Sequence, residues 1–315
     1  MSDALLDIIK RNRAGKIVAI PFICSAQPDV IRASLLRAQT LDRPIVIEAT
    51  SNQVNQEGGY TGMWPENFVL FVHDIAAKAN IDRSRIILGG DHLGPQVWRT
   101  QDADAAMAKA RTLVASYVNA GFTKIHLDCS EGCRGEADQL IDEQTAIRSA
   151  KFARTFLLAS DGTQSLKLFV GTEVSKPGGA RDNIKSDVLA TTPASAYATL
   201  AALGDAFVDM SPLIAGLVVQ PGVEFYAMHV HQLPMGRGPN FLGALKDWPQ
   251  VCLEAHSTDY QKPEVFPRLA SLGFAFQKVG PALTFAYRQA PYALDHAQGL
   301  MGGGRLVFFK TLWRP

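Results

Sequence analysis

Eight short apolar runs rich in β-branched and aromatic residues punctuate this chain, and stretches with helical spacing separate most of them. Strict β/α alternation predicts a parallel sheet with its helices outside, and eight units predict closure into a barrel. The expected strands fall at 16–25, 44–53, 86–95, 124–130, 166–175, 216–225, 251–260 and 274–285. Helical spacing is expected at 1–16, 29–41, 65–80, 102–120, 141–159, 192–206 and 282–300, with Pro65 at a first helical turn and Gly121 as a helix stop. The reading is an α/β fold, a (β/α)8 TIM barrel over residues 1–300 in one domain, with 301–315 as an atypical tail. A doubly wound sheet is the alternative. It lacks support, because the first strand–helix turn has no GxGxxG and no GxxxxGK[ST] occurs anywhere.

The segment 86–95, IILGGDHLGP, organises the rest. It begins as a fully apolar run suited to a strand buried on both faces, and it ends in the adjacent pair Asp91-His92. Barrels of this kind carry their active sites at the carboxyl ends of the strands. Here every expected strand end is polar: Ser25, Glu48, Asp91 with His92, Asp128, Glu173, Gln220 with Glu224, Glu254 with His256, and Lys278. Eight of eight exceeds what helix capping needs. Two imidazoles among several carboxylates suit a divalent metal, zinc first, with Mn, Ni or Mg as alternatives. Such a metal polarises a carbonyl or hydroxyl oxygen, and Asp91 beside a ligand can then move a proton. Asp128 and Glu173 are further acid/base candidates. Lys278 and the Gly280-Pro281 turn suit either a phosphate or, for Lys278, a salt bridge to a barrel carboxylate. His229 and His231 rank below His92 and His256 as ligands, and His126, inside a strand, reads as a core residue. His73, within a helix, receives no role.

A net charge of +1 argues against a nucleic-acid or membrane-surface protein. No apolar run approaches the ~20 residues that cross a bilayer, and the first residues lack a signal peptide's apolar core. Four cysteines in 315 residues point to reduced thiols and a cytoplasmic location, Cys129 and Cys133 included.

EATSNQVNQEGGYTGM, ILGGDHLGPQVW, KIHLDCS, GTEVSKPGG, VVQPGVEF, EAHSTDYQ and KVGPALTFA, in this order over roughly residues 10–290, resemble the GatZ/KbaZ family. That family comprises accessory subunits of class II D-tagatose-1,6-bisphosphate aldolase, and it has also carried the label tagatose-6-phosphate kinase. The kinase label finds no nucleotide-phosphate loop here. The resemblance implies a class II aldolase-like barrel in which Asp91 is the proton carrier and His92 and His256 are metal ligands. Where those aldolases place a further histidine, this chain has Gln220-Pro-Gly-Val-Glu224, so Glu224 is the substitute ligand. Glu48, Asn52, Gln53, Gln220, Glu254, Asp259, Lys278 and Gly280 are then left to bind a ketose or ketose phosphate. The implied partner is a catalytic class II tagatose-bisphosphate aldolase subunit, with homo-oligomers as a further expectation. The other reading is a metal-dependent C4-epimerase of fructose/tagatose-type sugars, working through an enediolate or retro-aldol step. Family members continue past the eighth unit with a helical, aromatic-rich region that LDHAQGLMGGGRLVFFKTLWRP does not resemble, and its LVFF run is an aggregation hazard if exposed.

Overall fold

A computed structural model describes residues 4–160, 165–171, 188–236, 238 and 241–301. Eight parallel strands close into a barrel in sequence order: β1 Ile20–Cys24, β2 Ile45–Thr50, β3 Ile86–Leu93, β4 Lys124–Leu127, β5 Lys167–Val170, β6 Ile214–Val219, β7 Cys252–Ala255 and β8 Phe274–Val279. β8 pairs with β1 through Ile20 opposite Phe276 and Phe22 opposite Lys278, which removes every free edge. The helices are α1 Ala4–Arg13, α2 Pro28–Thr40, α3 Pro65–Lys78, α4 Ala103–Asn119, α5 Asp142–Ala159, α6 Pro193–Phe207, α7 Phe241–Ala244, α8 Val265–Ser271 and α9 Pro281–Leu300. No helix among the described residues is long and apolar enough to cross a membrane.

Local chemistry sets the helix ends. Asp102 and Thr192 accept the Ala105 and Ser195 N–H groups as N-caps of α4 and α6. Gly121 ends α4 at φ +97°, with the Gly121 and Phe122 N–H groups returning to Val118 and Tyr117 in a Schellman pair. The sixth strand differs from expectation. It stops at Val219, and Glu224–Phe225 forms a separate two-residue hairpin with Val230–His231. Pro221 and the φ +96° of Gly222 break the run between them.

Two cores result. One lies between the sheet and the helices and includes Phe68, Phe122, Phe152 and Phe207. The other fills the lower barrel, where Phe22, Phe169 and Phe276 pack ring against ring at 4.9–5.5 Å and Leu5 and Ile9 of α1 close the N-terminal mouth. The barrel therefore opens towards the carboxyl ends of its strands.

Above the phenylalanines the interior turns ionic. Lys124, fully buried, places Nζ 4.6 and 4.5 Å from the Phe22 and Phe169 ring centroids, 2.6 Å from Glu48 Oε1 and 3.5 Å from Glu254 Oε2. Glu48 fits because residue 89 is glycine, since a Cβ there would lie 2.8 Å from the glutamate side chain. Removing Lys124 leaves two buried carboxylates that share Lys278 with Asp91. Lys124→Met is expected to cost about 3–5 kcal/mol in urea unfolding, part of which Glu48→Gln in the same chain restores.

Candidate metal centre

Period two carries the ionic layer upward. On β4 and just beyond it, Lys124, His126 and Asp128 share the inner face, as do Glu254 and His256 from β7 onward. Asp91 and His92 break that rule, because neighbours in a regular strand point to opposite faces. The β3–β4 register shifts between Gly90 and Leu93, and His92 sits at φ +49°, so the irregularity turns both side chains inward. Ser257, directly after His256, is held at φ +54°. Left-handed backbone at such residues costs of order 1–3 kcal/mol and concentrates at functional sites.

The result is a triangle of imidazoles. Ring centroids of His92, His126 and His256 stand 4.9, 5.1 and 5.1 Å apart, all edge to face. Each ring has its own carboxylate: His92 Nδ1 lies 2.7 Å from Asp128 Oδ2, His126 Nδ1 2.9 Å from Asp91 Oδ1, and His256 Nε2 2.7 Å from Glu254 Oε1. An ionised carboxylate can only accept, so His92 Nδ1 and His256 Nε2 each carry a proton toward theirs. His126 Nδ1 is shared between Asp91 and the His92 backbone N–H, which donates to it at 3.2 Å. Asp91, His92, His126 and His256 each offer a ligand atom, and those atoms lie within 4.8 Å of one another. His126 Nε2 is buried without a hydrogen-bond partner among the described residues.

Electrostatics agree with this assignment. Burial pushes the Asp91 carboxyl up, but His92, Lys278 and His126 outweigh it and hold it well below the usual carboxylate range. Burial raises Glu254 too, and Lys124, Lys278 and His256 more than reverse it. Asp128 stays low against its burial because His92 bonds to it, and Ser130 adds two hydrogen bonds to Oδ1. Desolvation depresses His126 to about 4 and His256 to about 3, so both rings are neutral near pH 7. Glu48 moves the other way, raised first by its burial. Among the described residues of this layer, four buried carboxylates (Glu48, Asp91, Asp128 and Glu254) face two buried ammonium groups (Lys124 and Lys278), a formal excess of two negative charges. Neutral imidazoles, tautomers fixed by carboxylates and an uncompensated negative charge form a donor set that fits a divalent cation.

The sequence reading meets this geometry unevenly. Asp91, His92 and His256 come together as expected. His126, read as a core residue, is fully buried, and it is also the third corner of the triangle; its placement two residues from Asp128 on one strand face is the signal for that. Asp128 bonds to His92 and orients it. Glu224 stands outside the four-residue group, in the hairpin, where its own Oε1 accepts the Phe225 N–H. Gln220 braces the turn that follows β6 by accepting from the Gly222 and Val223 N–H groups. Lys278 takes the salt-bridge option: it pairs with Asp91, and its Nζ lies 3.2 Å from Glu254 and 3.5 Å from Glu48. Asp259 Oδ1 accepts from the Gly280 and Ala282 N–H groups at 3.0 and 2.7 Å. Asn52, Gln53, Asp259, Lys278 and Gly280 line a cavity of about 990 Å³ over Asp91, His92 and His256. Glu48 lies beneath it, in the ionic layer. His229 and His231 meet edge to face at 4.6 Å at the outer hairpin. Glu173 lies outside the described residues. Cys24, which sequence reasoning passed over, puts its sulfur 3.6 Å from Asp91 Oδ2.

Solved structures share this barrel. A fructose-bisphosphate aldolase from Campylobacter jejuni superposes at a TM-score of 0.62 with 15% identity, over 96% of this chain and 81% of its own. The YdjI aldolase from Escherichia coli K12 gives 0.59 and 14%, over 92% and 84%. At such identities the likeness is one of fold. A protein described as "probable tagatose 6 phosphate kinase" from Sinorhizobium meliloti 1021 is far nearer, at 42% identity and a TM-score of 0.80, over 90% of this chain and 70% of that one. The family model for "D-tagatose-1,6-bisphosphate aldolase subunit GatZ/KbaZ-like" matches residues 5–303. The chain belongs to the GatZ/KbaZ-like family. In this member the match spans all eight strands and every corner of the imidazole triangle.

The two depressed histidines fix a pH dependence for the metal-free chain. Unfolded, each takes up a proton as pH falls below about 6.5, while the folded rings stay neutral until about 4 and 3. Stability is therefore lost as pH falls from 6.5 towards 4. Unfolding free energies from urea titration at pH 7 and pH 5 are expected to differ by about 2 kcal/mol per histidine, and His126→Asn reduces the difference.

Proposed function

We propose that this chain is a subunit of a class II D-tagatose-1,6-bisphosphate aldolase, that it docks on and stabilises a catalytic chain, and that its barrel mouth holds a divalent metal. The observation that carries the metal is the set of three carboxylate-backed imidazoles. Family membership over residues 5–303 supports the aldolase-subunit role ahead of a stand-alone epimerase. Zinc is the first candidate for a site of histidines with one carboxylate, with Mn, Ni and Mg as competitors. No nucleotide is required.

His92, His126 and His256 would hold the ion, and Asp91 offers a carboxylate oxygen beside them. Once bound, the metal supplies Lewis-acid polarisation of a ketose oxygen. Asp128 and Glu254 keep the His92 and His256 tautomers in the ligating form. Asp91, held ionised, is the group placed to accept a proton from a molecule in the cavity, and Lys278 neutralises it otherwise. Four free cysteines, three of them buried, suit a reducing cytoplasm.

A partner that binds the folded state stabilises it by mass action. Mixing the purified chain with the catalytic subunit of a class II tagatose-bisphosphate aldolase is expected to give co-elution and a several-fold longer half-life of aldolase activity. Separate elution with unchanged decay removes the subunit role.

A further inference from the structure

In a barrel of this kind, the turn after the last strand and the helix N-terminus beyond it are where a phosphate is held, because the backbone N–H groups and the helix dipole both point at it. Here that position is filled from within the chain. Asp259 is 3% exposed and accepts the N–H groups of Gly280 and Ala282 at the start of α9. The turn cannot easily step aside. A Cβ at residue 280 would lie 2.4 Å from the Cys24 carbonyl oxygen, and Thr258 Oγ1 donates to the Lys278 carbonyl at 2.6 Å, which pins the Asp259 loop to β8.

Among the described residues, nearby cations do not offset this carboxylate. Lys278 is held by Asp91, Glu254 and Glu48. Arg288, the other basic side chain among the described residues that line the cavity, is exposed, lies over the Tyr292 ring and donates to its hydroxyl at 3.0 Å. Glu224 lies close enough for its charge to add to the rise that burial gives the Asp259 carboxyl, to about 6. A phosphate here would meet N–H donors already taken up by a buried carboxylate. Ser25, Gln27, Asn52, Gln53, Thr61 and Thr284 add neutral hydrogen-bonding groups to a lining that Phe225 and Phe285 make apolar elsewhere. Hydroxyl and amide groups of this kind complement the hydroxyls of a sugar.

We propose that this cavity takes a ketose whose carbon against the α9 N-terminus bears a free hydroxyl rather than a phosphate ester, and that Asp259 sets this specificity. The inference rests on the reading above that the cavity binds a ketose beside a metal. It also divides labour within that reading: cleavage of the bisphosphate belongs to the partner chain, and this barrel holds an unphosphorylated sugar.

The test is calorimetric titration of the zinc-loaded full-length chain with D-tagatose, D-tagatose 6-phosphate and inorganic phosphate. The unaltered chain is expected to bind D-tagatose at least ~10-fold tighter than the 6-phosphate, and inorganic phosphate not at all. Asp259→Ala, which frees both N–H groups, is expected to shift the ratio ~10-fold or more towards the phosphate ester. Asp259→Asn keeps the cap and removes the charge, so it gives a smaller shift in the same direction and carries the test if the alanine variant fails to fold. Equal or tighter binding of the 6-phosphate by the unaltered chain overturns the proposal, as does an unchanged ratio in a folded Asp259 variant or no sugar binding at all. Co-elution with the catalytic subunit is scored separately. Its persistence alongside tight 6-phosphate binding would sink this specificity and leave the subunit role standing.

Discussion

Each of three buried imidazoles sits against a carboxylate of its own, and the rest of the barrel mouth depends on those three contacts. They hold the rings in place. Together with Lys278 at Asp91, and with Lys124 and Lys278 at Glu254, they keep Asp91, Asp128 and Glu254 ionised in a place where burial alone would neutralise them. The pairs cannot be judged singly. Asp91 serves both His126 and Lys278, and Glu254 serves His256, Lys124 and Lys278, so losing one partner changes the charge balance of the layer. Such networks are costly when half satisfied and specific when complete.

The architecture below exists to make that layer affordable. Three phenylalanines and α1 seal the lower barrel, Lys124 sits on two of the rings, and Glu48 and Glu254 close over it. Apolar packing, then a paired cation, then the imidazoles follow one another along the barrel axis. Local strain at His92 and Ser257 is tolerated because strands paired on both sides hold it in place. The chain belongs to a family described as a tagatose-bisphosphate aldolase subunit, and this layered interior brings three imidazoles and their carboxylates to its barrel mouth.

Much of this was legible in the sequence. Apolar runs alternating with helical spacing gave the eight strands, and polar strand ends gave Asp91, His92 and His256. The misses have separate physical causes. His126 was taken for core because a histidine inside an apolar strand usually packs, although Lys124, His126 and Asp128 already stood at the spacing of one inward face. Glu224 follows as a substitute ligand from the resemblance, which places a histidine near it, whereas Pro221 and Gly222 fold this stretch into a hairpin. Neither the inward turn of both Asp91 and His92 nor the hold of Asp259 on α9 could be read locally. The first needs a register shift against β4, and the second joins residues 21 and 23 positions apart.

Zinc K-edge absorption on the zinc-loaded chain tests the central claim most directly. Three carboxylate-held imidazoles predict a first shell with three nitrogen scatterers at about 2.0–2.1 Å showing imidazole multiple scattering, with oxygen completing it. A shell of oxygens alone, or one containing sulfur in place of imidazole, would contradict the account.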